Sequence, residues 1–258
     1  MMENNKPKVT VVTVTYNCAG IVEETIKSVI GQDYDNLEYI IIDGASSDGT
    51  WDIVNRYADR ITYMVSEPDK GIYDAMNKGI DAATGRWINF MNAGDVFASN
   101  TVLSEVFAEP IGDDVGFVFG KYNALTVKGF VKLENITPFY ESKKKLKAMG
   151  VNHQAIFTRV DLAKKYPFDF HKFKLIADYN MIWTIYNSGY KGCYRDVAVA
   201  TVESRDGASA SNRRLQRREN ARLLGLDGTL WFFYYTNYQT FKSWARTIVY
   251  KYILRRKC

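Results

Sequence analysis

The turn Asn92-Ala93-Gly94-Asp95 delivers a single carboxylate at the end of a short apolar run, GRWINFM (85–91), whose alternation reads as a buried strand. One acid at a strand end, with phosphate oxygens and water filling the remaining positions, is a common way to hold Mg²⁺ or Mn²⁺. Asp95 is therefore the candidate for gripping a nucleotide diphosphate through a divalent cation. Taken alone, the same four residues also make an ordinary turn, because Asn, Gly and Asp all favour turns for local reasons. The usual ways of holding phosphate directly are missing: the chain has no P-loop, and its first strand ends in TYNCAG (15–20), not GxGxxG. Three widely spaced cysteines and two histidines argue against a disulfide framework, a zinc site or a histidine-rich metal centre, and fit reduced thiols in a cytoplasm.

The surrounding pattern supplies a sheet that could present such a turn. Val- and Thr-rich KVTVVTVTY (8–16), EYIIID (38–43), ITYMVSE (61–67) and residues 86–91 read as strands. Between them, 21–30, 46–59 and 71–85 place apolar residues at helical spacing, with Ile21, Val22, Ile26, Val29 and Ile30 on one face of the first. Strands alternating with helices imply an α/β fold with a mostly parallel sheet and right-handed crossovers. Ligands in such sheets bind at the carboxyl ends of the strands, near a switch in strand order. Four strand ends meet that description: Tyr16-Asn17, Asp43, Glu67 to Lys70, and Asn92 to Asp95. Asp43, as a polar strand-end residue, is expected outside the core. The second half is less regular, with two strands about a Lys128-Gly129 turn (115–134), a helix at 177–189 and a strand at 192–203. Residues 204–214 lack apolar periodicity and read as a mobile loop.

The series VTVVTVTYN, IIIDGASSDGT, SEPDKGIYDAMNKGI and GRWINFMNAGD, in this order and spacing, resembles the family 2 glycosyltransferases with a GT-A fold. The resemblance is dense over residues 8–107 and weak beyond. It implies a catalytic domain over 1–212, with a nucleotide-sugar half (1–107) and an acceptor half (108–212), followed by a basic, aromatic helical extension (213–258). It implies that Thr15, Tyr16 and Asn17 line the base pocket and that Asp43 bonds the base or ribose. Asp69, Lys70, Asn77 and Lys78 would border the donor diphosphate and sugar, and Asp95 would be the metal ligand, for Mn²⁺ or Mg²⁺. Where the family commonly carries two or three acids, this chain has Asn92-Ala93-Gly94-Asp95, so metal binding is expected to depend on the diphosphate, and Asn92 is left to bond the sugar.

An inverting transfer needs a base for the acceptor hydroxyl. LIADYNMIW (175–183) matches the family's position for it, with Asp178 as the base and Ala177 in place of a Glu. A helix-start aspartate is also favoured simply by the helix dipole. His153, a lone histidine ahead of an apolar strand, is a structural hydrogen-bonding group or an acceptor-site residue. Arg205, Asp206 and the GASAS loop could close over the donor. LQRREN (215–220) lacks the Trp of the Gln-x-x-Arg-Trp motif in processive relatives, which points to addition of one sugar.

From Arg213 onward there are 11 Lys and Arg against 2 acids, so the net +5 of the 258-residue chain comes from its C-terminus. The acidic main body gives no footprint for nucleic acid, while Phe241, Trp244, Ile248 and Tyr252 beside basic residues suit an anionic membrane surface or a core-packing helix. The expected function is transfer of one sugar from a nucleotide sugar, a UDP-sugar by expectation, to a lipid-linked or saccharide acceptor in cell-surface polysaccharide synthesis, peripheral on the inner membrane face. The alternative is a nucleotide-sugar-binding protein or scaffold without turnover, suggested by the reduced acid motif.

Overall fold

The structure is a computed structural model that describes residues 6–125, 131–134, 152–203, 212–226 and 228–230. Strands β1 (Val9–Thr15) and β2 (Leu37–Asp43) are buried almost throughout. The unbroken Val and Thr of β1 and Ile40–Ile42 of β2 suit strands covered on both faces. β1 pairs in parallel with β2 on one side, Val9 opposite Leu37 and Thr15 opposite Asp43, and with β4 (Trp87–Phe90) on the other. β3 (Tyr63–Ser66) extends the parallel set beyond β2.

Among the described residues, nine strands form one sheet in the order β3-β2-β1-β4-β8-β6-β9-β5, with β7 (Val131–Glu134) paired to β6. β8 (Ile156–Arg159) runs antiparallel between β4 and β6 (Val115–Leu125). β9 (Lys191–Glu203) then runs parallel to β6, and the short β5 (Val96–Phe97) pairs antiparallel with it. The sheet is mixed: of its described pairings four are parallel, among them the β3-β2-β1-β4 set that the sequence implies, and four are antiparallel. β2 and β4 flank β1 on opposite sides, so the switch in strand order falls at β1.

The helices follow the sequence pattern with trimmed ends. α1 (Val22–Ile30) buries Val22, Thr25, Ile26 and Val29, while Ile21 lies outside the helix and is 51% exposed. α2 is a short helix, Thr50–Asn55, followed by a 3₁₀ turn at Ala58–Arg60. α3 (Ile72–Ala82) packs on β1 and β2 through Ala75, Met76, Gly79 and Ile80. α4 (Val102–Val106), α5 (Val160–Lys165), α6 (Ala177–Asn187) and α7 (Arg213–Leu223) complete the described helices. The Lys128-Gly129 turn, the GASAS loop with Arg205 and Asp206, and the aromatic tail from Trp231 lie outside the described residues.

One glycine fixes how closely α3 approaches the sheet. A Cβ at Gly79 would lie 2.5 Å from Cγ1 of Val12, itself fully buried. Gly79→Ala gains up to about 1 kcal/mol of helix propensity. Overpacking a rigid core costs about 1–3 kcal/mol. Net destabilisation of about 1 kcal/mol is expected in urea unfolding, relieved in the Gly79→Ala/Val12→Ala double variant relative to Val12→Ala alone. An additive pair would mean that α3 is free to shift.

Candidate active site

The four strand ends foreseen in the sequence do converge, at the carboxyl edge of β1 to β4. The loop after β1 is shaped by Asn17, which sits in the left-handed region (φ 46°), a conformation that Asn tolerates well. Its side-chain oxygen accepts the Ser47 N–H (2.9 Å), and its own N–H donates to Ser46 Oγ (2.9 Å). Ala45, also left-handed (φ 61°), holds strain in the facing loop. Tyr16 is left 67% exposed at this rim.

Asp43 departs from expectation. It is fully buried, not a surface strand end. Its carboxylate accepts Thr15 Oγ1–H (2.7 Å), Ser66 Oγ–H (2.6 Å), the Ser46 N–H (2.9 Å) and Ser46 Oγ–H, two donors on each oxygen. Those bonds fill the usual acceptor sites of a carboxylate. They lock together the ends of β1, β2 and β3. Burial pushes the Asp43 carboxyl up, but bonds from Ser46, Ser66 and Thr15 outweigh it and leave the pKa lowered. Asp43→Ala should therefore destabilise the fold by about 3 kcal/mol at pH 7, because it strands buried donors. A lowered native pKa contributes stability above the unfolded value near 3.9, which is lost as pH falls through the native value. The gap between parent and variant should narrow in acid; urea titrations at pH 7 and pH 3 that gave equal gaps would contradict this.

The loop from Glu67 to Lys70 is held by its neighbours. Lys78 Nζ pairs with Glu67 (2.7 Å) and donates to the Pro68 carbonyl (2.9 Å). Asp69 Oδ1 accepts the Gly71 N–H (2.7 Å), and a Cβ on Gly44 would collide with its other oxygen. The Lys70 N–H donates to Asp74 Oδ2 (2.9 Å), which leaves the exposed Lys70 side chain at the rim. Asn77 bridges to a neighbouring loop. Its amide pairs reciprocally with the Phe168 backbone (3.0 and 2.9 Å), anchoring that loop to α3.

Across the edge, a chain of side chains joins the two halves. Asn92 Nδ2–H donates to His153 Nε2 (3.0 Å), so the His153 proton sits on Nδ1 and points to Asp178 Oδ2 (3.1 Å). Tyr73 Oη–H donates to Asp178 Oδ1 (3.0 Å). Asp178 lies in the first turn of α6, and its side chain is 16% exposed. Burial pushes its carboxyl up, but bonds from His153, the Tyr179 N–H and Tyr73 win and leave the pKa lowered. Burial and the Asp178 charge push the Tyr73 phenol well above its ordinary value, so it remains a donor.

Asp95 is 8% exposed, and Gln154 Nε2–H donates to its Oδ2. The side-chain oxygens of Asn92 and Gln154 are buried with no hydrogen-bond partner. No group of three or more His, Cys, Asp or Glu suited to a metal occurs among the described residues. The donors present are all oxygens, with one carboxylate. That set fits a hard cation completed by ligand phosphate and not a zinc centre.

A sequence model described as Glycosyl transferase family 2 matches residues 10–164, which include β1 to β4, the Asn92–Asp95 turn and His153. The chain belongs to this family. Similar proteins include the PGL/p-HBAD biosynthesis glycosyltransferase of Mycobacterium bovis (strain BCG / Pasteur 1173P2), 28% identical over 213 residues that cover 79% of each chain. The putative teichuronic acid biosynthesis glycosyltransferase TuaG of Bacillus subtilis is 38% identical over 97 residues, 36% of this chain and 38% of that one. Among solved structures, the mannosyltransferase PcManGT from Pyrobaculum calidifontis, in complex with GDP-Man and Mn²⁺, aligns at TM-score 0.65 and 22% identity over 87% of this chain. S. aureus TarS with UDP-GlcNAc aligns at TM-score 0.65 and 18% identity over 84%. The chain spans just under two thirds of those two structures, 66% and 65%. The fold is therefore GT-A, and the protein is a glycosyltransferase.

The candidate site of this glycosyltransferase also contains contacts from residues that the sequence did not single out. Ser46 and Ser66 saturate Asp43, Tyr73 holds Asp178, and Gln154 holds Asp95. Gln154 left a signal, a polar residue heading the apolar run AIF. Tyr73 left none, since an aromatic in an amphipathic helix reads as core.

Proposed function

We propose that this glycosyltransferase moves one sugar, with inversion, from a nucleotide diphosphate sugar to an acceptor hydroxyl. The observation that carries the reading is Asp178, ionised and aimed by His153 and Tyr73, joined through His153 and Asn92 to the strand end that bears Asp95. In the reaction the acceptor oxygen bonds the anomeric carbon as the bond to the diphosphate breaks, and the electron pair leaves on the phosphate oxygen. Asp178 takes the hydroxyl proton, which becomes acidic only as the new bond forms. Tyr16 offers an exposed ring to the base, and Asp43 acts by fixing the loop carrying Ser46. Lys70 faces the diphosphate, and Asn92 faces the sugar. Asp95 and the amide oxygen of Asn92 would hold a divalent cation, Mn²⁺ or Mg²⁺, which when bound neutralises charge on the departing diphosphate.

UDP- and GDP-sugars are the donors to try first, given the UDP-GlcNAc and GDP-Man in the similar structures. The names of the similar proteins, a PGL/p-HBAD and a putative teichuronic acid biosynthesis glycosyltransferase, favour an acceptor in polysaccharide assembly, which we read as lipid-linked or saccharide and met at the inner membrane face. No described helix is long and apolar enough to cross a membrane. Thermal-shift screening of nucleotide sugars, with and without Mn²⁺, tests the reading. Stabilisation by one nucleotide class, with release of that nucleoside diphosphate, is expected; no stabilisation by any would refute it. Stabilisation without turnover across a broad acceptor panel would favour the scaffold alternative.

A further inference from the structure

The chain entering α6 is held from a distance. The N–H groups of Lys174 and Leu175 both donate to one carboxylate, at 2.7 Å to Glu219 Oε1 and 2.9 Å to Glu219 Oε2. Glu219 lies on α7, 45 residues from Lys174 in sequence. It is 3% exposed, and its neighbours Asn220 and Ala221 are buried with it, whereas Arg214, Arg218 and Arg222 face outward. Glutamate is almost never buried unless it is paired. Here two charge-assisted backbone bonds satisfy it, and such bonds are short, strong and directional. Nothing in nucleotide or metal binding accounts for it.

Its placement bears on the proton acceptor. Asp178 takes its two side-chain donors from separate elements, Tyr73 on α3 and His153 in the 3₁₀ turn before β8. A displacement of the first turn of α6 by an ångström would spoil both at once, since hydrogen bonds weaken steeply with distance and angle. The Glu219 charge also reaches Tyr73 and adds to the rise of its phenol. We propose that Glu219 is a positioning residue: it pins the backbone leading into α6, sets Asp178 against His153 and Tyr73, and thereby makes α7 part of the catalytic site. This rests on Asp178 being the proton acceptor.

The chain has only two histidines, His153 and His171, so ¹⁵N imidazole NMR of the full-length protein reads the Asp178 contact without any acceptor. The parent should show His153 as the Nδ1–H tautomer. In Glu219→Gln an amide N–H₂ faces a backbone N–H, and the His153 Nδ1–H, its tautomer still set by Asn92, should lose Asp178 as acceptor and move its ring ¹⁵N and N–H resonances away from the parental positions. Release of nucleoside diphosphate, from whichever donor the thermal-shift screen selects, should fall about tenfold or more, as small misplacements of catalytic groups do. Donor affinity should stay within about twofold, because uniform binding is untouched. Glu219→Gln/Asp178→Asn should be no slower than Asp178→Asn alone, as expected of residues acting through one another. Parental His153 resonances and turnover in Glu219→Gln, with only a lower melting temperature, would reduce Glu219 to a structural clamp and overturn the proposal. An impaired Asp178→Asn beside a normal Glu219→Gln overturns the Glu219 role alone. Normal turnover in Asp178→Asn overturns the base assignment and this proposal with it. If Glu219→Gln does not fold, Glu219→Asp, which keeps the charge on a shorter arm, carries the same comparison.

Discussion

Turnover of the Asp178→Asn variant is expected to fall by roughly 10²-fold or more, with donor affinity unchanged within about twofold. The amide keeps the shape of the side chain and can still accept one hydrogen bond, from Tyr73 or from His153. It cannot take a proton. A loss of 10² to 10⁴ corresponds to about 3–5 kcal/mol of transition-state stabilisation, more than any packing change at a partly exposed side chain would give. The pH profile adds a second check. The pKa of Asp178 is lowered, so the carboxylate is ionised above the ordinary value near 3.9. No fall in kcat from Asp178 should occur between pH 7 and pH 5. A decline across that window in the parent, or near-normal turnover in the variant, would remove Asp178 as the base.

Asp95→Ala should abolish the mutual dependence of Mn²⁺ and nucleotide binding. With one protein carboxylate at the site, the free protein should bind Mn²⁺ weakly, and phosphate oxygens should raise that affinity once the nucleotide is present. Linkage then requires Mn²⁺ to raise nucleotide affinity by the same factor. Coupling of 1–3 kcal/mol, roughly 5- to 150-fold, is the usual range. Asn92→Asp should act oppositely, strengthening Mn²⁺ binding before nucleotide arrives, because a second carboxylate joins the first. It should also disturb His153, which loses the amide N–H on its Nε2. Calorimetric titration of Mn²⁺ with and without UDP or GDP, on the parent and both variants, separates these outcomes. Equal Mn²⁺ affinity in both conditions would reduce Asn92–Asp95 to a turn.

The local pattern of the chain was enough to find the parallel part of the sheet, β1 to β4. β1 and β2 are written as runs rich in buried β-branched side chains, β4 as a short buried apolar run, and α1 and α3 by apolar spacing near 3.6. The turn chemistry at the strand ends is equally local, so Tyr16, Asn17, Asp43 and Asp95 could be singled out by type and place. Burial was harder to read. Asp43 looks like a surface residue because it is charged and ends a strand, and only Thr15, Ser46 and Ser66 arriving from three elements allow the carboxylate to sit in the core. The arrangement around Asp178 was legible only as separate candidates, Asp178, His153 and Asn92, and not as contacts. Asn92 and His153 stand 61 residues apart, and Tyr73 and Asp178 stand 105 apart. They meet because β8 inserts antiparallel beside β4 and delivers the turn that precedes it to the carboxyl edge of the sheet. Glu219 joins the same region from α7, a helix whose arginines suggest only a solvated face. Periodicity reports which face of an element avoids water. Which faces and ends then meet depends on strand order, and that is settled by packing between distant segments.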